Sequence, residues 1–301
     1  MKIGFYPGCS LEGTAREYNE SLKEISKVFK IELEEIIDWN CCGATAAHSL
    51  NKDLALALPA RSLALAEKQG LNEIVVPCAA CYSRLFTAYS ELNSEPEKLE
   101  KIKDIIQIDF KVTSKPINAL EFINKYIKPD LKDKIKNKIN LNIACYYGCL
   151  LVRPPKLLAV ERYEDPMIME EIIKIMGAKP VDWAFKTECC GAGLSVSKTD
   201  VVSKLSGKII DDAISRKADI IMVACQMCQS NLDMRRKSIN KYLGKKLDIP
   251  VLFITQIIGK ALGLDSNKLG LQRHFVPVSS ELFMQKEIPS NSVSNKIGVK
   301  V

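Results

Sequence analysis

Two adjacent cysteines followed by a glycine, Cys41-Cys42-Gly43, sit in the stretch DWNCCGATAAHSLN (38–51). A second pair, Cys189-Cys190-Gly191, sits in DWAFKTECCGAGLS (182–195). Neighbouring cysteines are awkward to join to each other, because the resulting ring strains the peptide. Each pair has three companions. The first set reads C-x31-C-C-x35-C-x2-C over Cys9, Cys41, Cys42, Cys78 and Cys81. The second reads C-x39-C-C-x34-C-x2-C over Cys149, Cys189, Cys190, Cys225 and Cys228. Ten of the eleven cysteines are used, and Cys145 is left over. Three chemistries compete for such sets. Disulfides belong to oxidising compartments. Structural zinc takes four ligands, which leaves one cysteine of each set without a role. Iron–sulfur clusters are thiolate-ligated and can use more than four cysteines when the cluster is not a simple cube. On this last reading, which we favour, adjacent cysteines hold different irons, or bridge two irons, of one extended cluster. The glycine after each pair lets the backbone come close.

The elements that must position these thiols also come in two copies. FYPGC (5–9) resembles CYYGC (145–149), and Asp38-Trp39 matches Asp182-Trp183. VVPCAACYSRL (75–85) matches VACQMCQSNL and its preceding Met222. Four extra residues separate the second tryptophan from its cysteine pair. Strand-like runs are expected at 2–6, 35–39 and 73–77 and again at 141–145, 180–183 and 219–224. Helical runs are expected at 14–29, 54–69 and from Cys78, and again at 167–176, 201–216 and from Cys225. SKPINALEFINKYI and DIPVLFITQIIGKAL correspond as well. Alternation of this kind implies parallel strands covered by helices. The expected fold class is α/β: two tandem pseudo-symmetric repeats, each a small, mainly parallel sheet with flanking helices. The division is 1–134 for the first repeat, 135–265 for the second and 266–301 for a polar tail. Cys9, the Cys41-Cys42 pair and Cys78 each follow a predicted strand, so the thiols converge on the carboxyl ends of the strands, where parallel sheets bind ligands.

Composition narrows the function classes. The chain has 301 residues, 47% hydrophobic and 26% charged, with a net charge of +7. Its lysines are scattered except over 127–142, and no basic stripe with interleaved aromatics points to nucleic acid. No apolar run is long enough to span a bilayer, and MKIGFYPGCS is too short in apolar residues for a secretory signal. A cytoplasmic location is expected, where thiols stay reduced and metal is a better reading of many cysteines than disulfides.

The doubled pattern C-x31-C-C-G…C-x2-C resembles the cysteine-rich CCG domain of the heterodisulfide reductase B-subunit family, over residues 1 to about 265. The resemblance implies two noncubane [4Fe-4S] clusters, one on each five-cysteine set, with a disulfide cleaved between them. In the methanogen enzymes that disulfide joins coenzyme M and coenzyme B. It also implies two partner proteins of the same complex, one ferredoxin-like and one flavin-carrying. Related proteins serve sulfur-oxidising complexes that work with a lipoate-carrying protein, and other CCG domains pass electrons in lactate, glycerol-phosphate and succinate enzymes. Gly43 stands where the methanogen type often has proline, and Tyr146 and Leu150 flank the second Gly-Cys where many relatives have histidines. Both cysteine sets remain whole.

Cleaving a disulfide to thiols takes two electrons and two protons. A proton donor near neutrality is best supplied by histidine, and the chain has only His48 and His274. His48 lies six residues after Cys42, whereas the matching position in the second half is Val196. It is expected to be the proton donor or a substrate contact, the alternative being a helix cap. Arg153, four residues after Cys149, could grip an anionic group of the substrate or pin its own loop. Cys145, on a strand, reads as a core cysteine, and His274 as structural or interfacial. GAGLS (191–195) lacks the third glycine and acidic partner of a dinucleotide site, so electrons must come from outside the chain.

Overall fold

The computed structural model describes residues 1–44, 47–158 and 160–283, with the side chains of His48 and Ser280 excepted. Strands β1 (Lys2–Phe5), β2 (Glu32–Glu35), β3 (Glu73–Val76) and β4 (Lys115–Asn118) form one all-parallel sheet in the order β2-β1-β3-β4. Strands β5 (Asn142–Tyr146), β6 (Lys179–Pro180), β7 (Ile220–Val223) and β8 (Val251–Phe253) form a second in the equivalent order β6-β5-β7-β8. The inner strands are apolar on both faces: Ile74, Val75 and Val76 of β3 and all four residues of β7 are buried. A parallel sheet sandwiched between helices requires this.

The helices of the first repeat are α1 (Gly8–Glu12), α2 (Arg16–Val28), α3 (Ala47–Leu50), α4 (Lys52–Lys68), α5 (Ala79–Ser94), α6 (Pro96–Ile106) and α7 (Ala119–Phe122). A π-helical turn over Ile123–Ile127 leads from α7 into α8 (Lys128–Lys134). Those of the second are α9 (Pro155–Leu158), α10 (Ile168–Ile175), α11 (Thr199–Ser215), α12 (Gln226–Leu232), α13 (Arg236–Leu243) and α14 (Ile254–Ala261). Asn51 caps α4 by accepting from the N–H groups of Asp53 and Leu54 at 2.8 and 3.0 Å, the usual remedy for unpaired first-turn donors.

Two strands differ from expectation. The edge strand β2 lies three residues earlier than the expected run 35–39, because its pairing with β1 runs from Lys2↔Glu32 to Phe5↔Glu35 and leaves its glutamates exposed or half-buried. Its counterpart β6 is only two residues long and ends at Pro180. The first part of the lysine-rich stretch, 128–134, is helical.

The repeats are packed together by exchanged helices. Tyr18 of α2 stacks on Phe253 at the end of β8, with ring centroids 4.1 Å apart and planes 7° apart. Ser21 of α2 and Thr255 of α14 share a buried hydrogen bond of 2.6 Å. Reciprocally, α10 of the second repeat approaches α8 of the first, where Lys128 pairs with Glu171. Residues after α14 fold back over this seam: Leu269 is buried, Arg273 pairs with Glu20 of α2 at 2.7 Å, and His274 is enclosed by Gln229, Asp233 and Gln256. Among the described residues, no helix is long and apolar enough to cross a membrane.

Candidate metal centres

In each repeat the first strand leads into a buried tyrosine that fixes the cysteine pair. The Tyr6 hydroxyl donates to the carbonyl of Asn40, the residue before Cys41, at 2.7 Å. The Tyr146 hydroxyl donates to the carbonyl of Glu188, the residue before Cys189, also at 2.7 Å. Each tyrosine packs edge-on against its tryptophan, Trp39 at 5.3 Å and Trp183 at 6.2 Å. The matched DW…CCG motifs are therefore a tertiary device, built twice. In the first repeat Arg61 of α4 adds a clamp by donating to the Asp38 carbonyl at 2.7 Å and the Asn40 side chain at 3.2 Å. In the second, Asn231 and Ser206 donate to the Cys190 carbonyl at 3.3 and 3.1 Å.

The C-x2-C pairs sit at helix starts. Cys78 is the N-cap of α5, and its Sγ accepts from the Cys81 N–H at 3.3 Å. Cys225 occupies the same place before α12. The sulfurs of each set come together pairwise: Cys42 Sγ lies 3.2 Å from Cys81 Sγ, and Cys190 Sγ lies 3.8 Å from Cys228 Sγ. The thiols of Cys149 and Cys189 also face each other. Glycine makes this approach possible. Gly8 (φ +63°) and Gly148 (φ +67°) lie before Cys9 and Cys149, and a Cβ there would stand 3.1 Å from Cys81 Sγ and 2.7 Å from Cys228 Sγ. All eleven cysteines are free thiols. Cys42, Cys78, Cys81, Cys190, Cys225 and Cys228 are buried, Cys149 is half-buried, and Cys9, Cys41 and Cys189 are exposed. Each set thus has a buried floor and a solvent-facing rim.

The electrostatics suit a cationic guest. The Cys81 thiol, then backbone N–H groups at the start of α5 and the Gln226 amide, pull the Cys78 thiol down to about 7 against burial. The Cys149 thiol, then the N–H groups of Gly191 and Ala192, pull Cys189 down to about 6. Cys42 and Cys190 are also lowered, by the thiols of Cys81 and Cys228. The opposite members of these pairs move the other way: the neighbouring thiols, and then burial, raise Cys81, Cys149 and Cys228. Only part of each set can carry charge in the bare protein; complete ionisation needs a compensating cation. Among the described residues no three cysteine, histidine or acidic side chains are arranged around a point for a single ion. Five thiols, helix N-termini and glycines that open space beside sulfur nevertheless form a donor set that fits a sulfur-ligated, multi-metal group.

The other expected site residues fall as follows. His48 lies on α3, and its side chain is outside the described residues. Arg153 is exposed; its backbone N–H bonds the Cys149 carbonyl at 3.0 Å, and its guanidinium has no hydrogen bond or ion pair among the described residues. Cys145 is fully buried on β5, apart from the second set, where burial and then Glu170 raise its thiol.

Paired parallel sheets that each bring five thiols to their carboxyl edge define a tandem cysteine-rich α/β protein. The chain belongs to the CCG family, described as a cysteine-rich domain, whose model matches residues 3–86 and 143–233. It is 31% identical to the 8-methylmenaquinol:fumarate reductase membrane anchor subunit of Wolinella succinogenes, over 91% of this chain and 97% of the relative. It is 29% identical to the B subunit of the ferredoxin/F420H2-dependent CoB-CoM heterodisulfide reductase of Methanosarcina acetivorans, over 91% of this chain and 94% of the relative. A crystal structure of a hypothetical protein from Helicobacter pylori shares the fold at a TM-score of 0.75 and 14% identity, over 92% of this chain and 52% of that one.

Proposed function

We propose that the chain is the iron–sulfur catalytic subunit of a heterodisulfide reductase-like complex. Its two five-cysteine sets, Cys9/Cys41/Cys42/Cys78/Cys81 and Cys149/Cys189/Cys190/Cys225/Cys228, would each hold one noncubane [4Fe-4S] cluster. The observation that carries this reading is the doubled site itself: equivalent thiols at equivalent strand ends, each with a solvent-facing rim at Cys9, Cys41 and Cys189. The clusters, when bound, supply the two electrons that convert a disulfide and two protons into two thiols, or accept them in the reverse direction. The chain's own residues do the rest. The helix starts and thiol–thiol contacts hold the sulfurs, Arg153 offers its exposed guanidinium to an anionic substrate, and His48 delivers a proton. The repeats would divide at 1–134 and 135–265 with a tail at 266–301. Electrons would arrive from a ferredoxin-like partner and a flavin-containing partner in the cytoplasm.

A second reading has support in the fumarate reductase relative: an electron-transfer protein with no disulfide chemistry. Oxidation of lipoate-bound sulfur is a third form of the same thiol chemistry. Anaerobically prepared protein, titrated with coenzyme M–coenzyme B heterodisulfide and with dihydrolipoate, separates them. We expect one of these to change the cluster EPR and visible spectra at stoichiometric concentration. Spectra that respond only to electron donors and acceptors, and never to thiols or disulfides, would favour the electron-transfer reading.

A further inference from the structure

One contact joins the two sites and runs in one direction only. Gln226 follows Cys225 at the start of α12, where the first repeat has Ala79 after Cys78. Its side chain crosses the seam between the repeats. Gln226 Nε2 donates to Cys78 Sγ at 3.1 Å and to Ser10 Oγ, beside Cys9, at 3.1 Å. The residue is 2% exposed, so water does not compete for these bonds. Tyr18 reinforces the crossing from the other side: its buried hydroxyl donates to the Ala224 carbonyl, just before Cys225, at 3.1 Å. Ala79 has no polar side chain with which to return the contact.

We infer that Gln226 is a positioning residue that makes the two metal sites unequal, its side-chain amide in the second repeat hydrogen-bonding a ligand sulfur of the first site. The inference rests on the two-cluster reading above. A primary amide presents two N–H donors on one nitrogen, and both are spent on the first repeat. The reversed amide would aim Oε1 at Cys78, which repels a thiolate, so a ligating sulfur fixes the orientation in which nitrogen faces it. A hydrogen bond to a ligand sulfur stabilises the more negative, reduced state and raises the reduction potential. The bond is strengthened by its low-dielectric surroundings. The first site is therefore the stronger electron acceptor of the pair by this contribution, and α12 couples any shift at Cys225 to a ligand of the opposite site.

The test compares wild type with Gln226→Met, which keeps length and apolar bulk and removes both donors. Redox titration followed by EPR should show one midpoint moved to more negative potential and the other in place, with iron and sulfide content unchanged. Wild-type protein carrying ¹⁵N in its glutamine side chains should show a ¹⁵N coupling at a reduced cluster, and Gln226→Met should abolish it. Two unmoved midpoints, or two that move together, would overturn the inference. If Gln226→Met does not assemble, the labelled wild type decides alone: a loaded cluster with no ¹⁵N coupling also overturns it. Protein that holds neither iron nor sulfide would instead defeat the two-cluster reading.

Discussion

Cys145 and Cys149 are four residues apart and meet opposite chemistry. Cys145 points into the core from β5, paired in register with Met222, while the Trp183 indole holds its carbonyl at 3.2 Å. Cys149 lies past the turn, where its thiol faces that of Cys189. Cys145→Ala is expected to keep full iron content and to cost roughly 1 kcal/mol, as small core truncations do. Cys149→Ala is expected to lose much of the iron of the second site. Iron analysis and thermal melts check both; the reverse pattern would mean that the alignment of the repeats is wrong. His48 is tested by the glutamine variant. If it delivers a proton as a general acid, His48→Gln should slow turnover by about 10²-fold or more, with iron content and reduction by an artificial donor unchanged. A variant with wild-type turnover and a lowered melting temperature would make His48 a structural residue. Cys145, Cys149 and the sets were legible in the sequence because a repeat aligns against itself. Gln226 was not, since its counterpart is an alanine and its hydrogen-bond acceptors are 148 and 216 positions away.

At the scale of elements, strand ends and helix starts build the sites. Gly148 has to take φ +67° and leave room for Cys228 Sγ. Alanine there would occupy a left-handed conformation at a cost of about 1 kcal/mol or more, with its Cβ at 2.7 Å from that sulfur. Gly148→Ala is therefore expected to fold but to hold markedly less iron in the second site, with the first retained. Equal iron in variant and wild type would show that the sulfur has room to move. Most elements could be read from apolar spacing and turn residues, including the sheets' parallel character. The edge strand β2 could not be placed well. Its residues Glu32–Glu35 are mostly acidic, and pairing to β1 on one side, rather than burial, makes it a strand. Helix α6, PEKLEKIKDII, fully buries only Ile102, so its apolar spacing is a weak signal. Helix α8, within the lysine-rich stretch, is held by Leu131 buried against the core, one apolar residue among lysines and acids.

Across the whole molecule, the repeats exchange helices, α2 onto α14 and α10 toward α8. The post-α14 segment covers the seam through His274, whose ring nitrogens meet Gln229 at 3.3 Å and Gln256 at 2.9 Å. This arrangement was invisible in the sequence, because a polar segment rich in serine and asparagine carries no periodic signal. It makes the pair of sites one unit, bridged by Tyr18 and Gln226, rather than two independent modules. The central claim is that this unit holds two multi-iron clusters, and metal analysis of anaerobically prepared protein tests it most directly. If each five-cysteine set carries a four-iron cluster, the chain should contain roughly eight irons and roughly eight acid-labile sulfides. Zinc at about one or two atoms per chain with negligible sulfide would contradict the account.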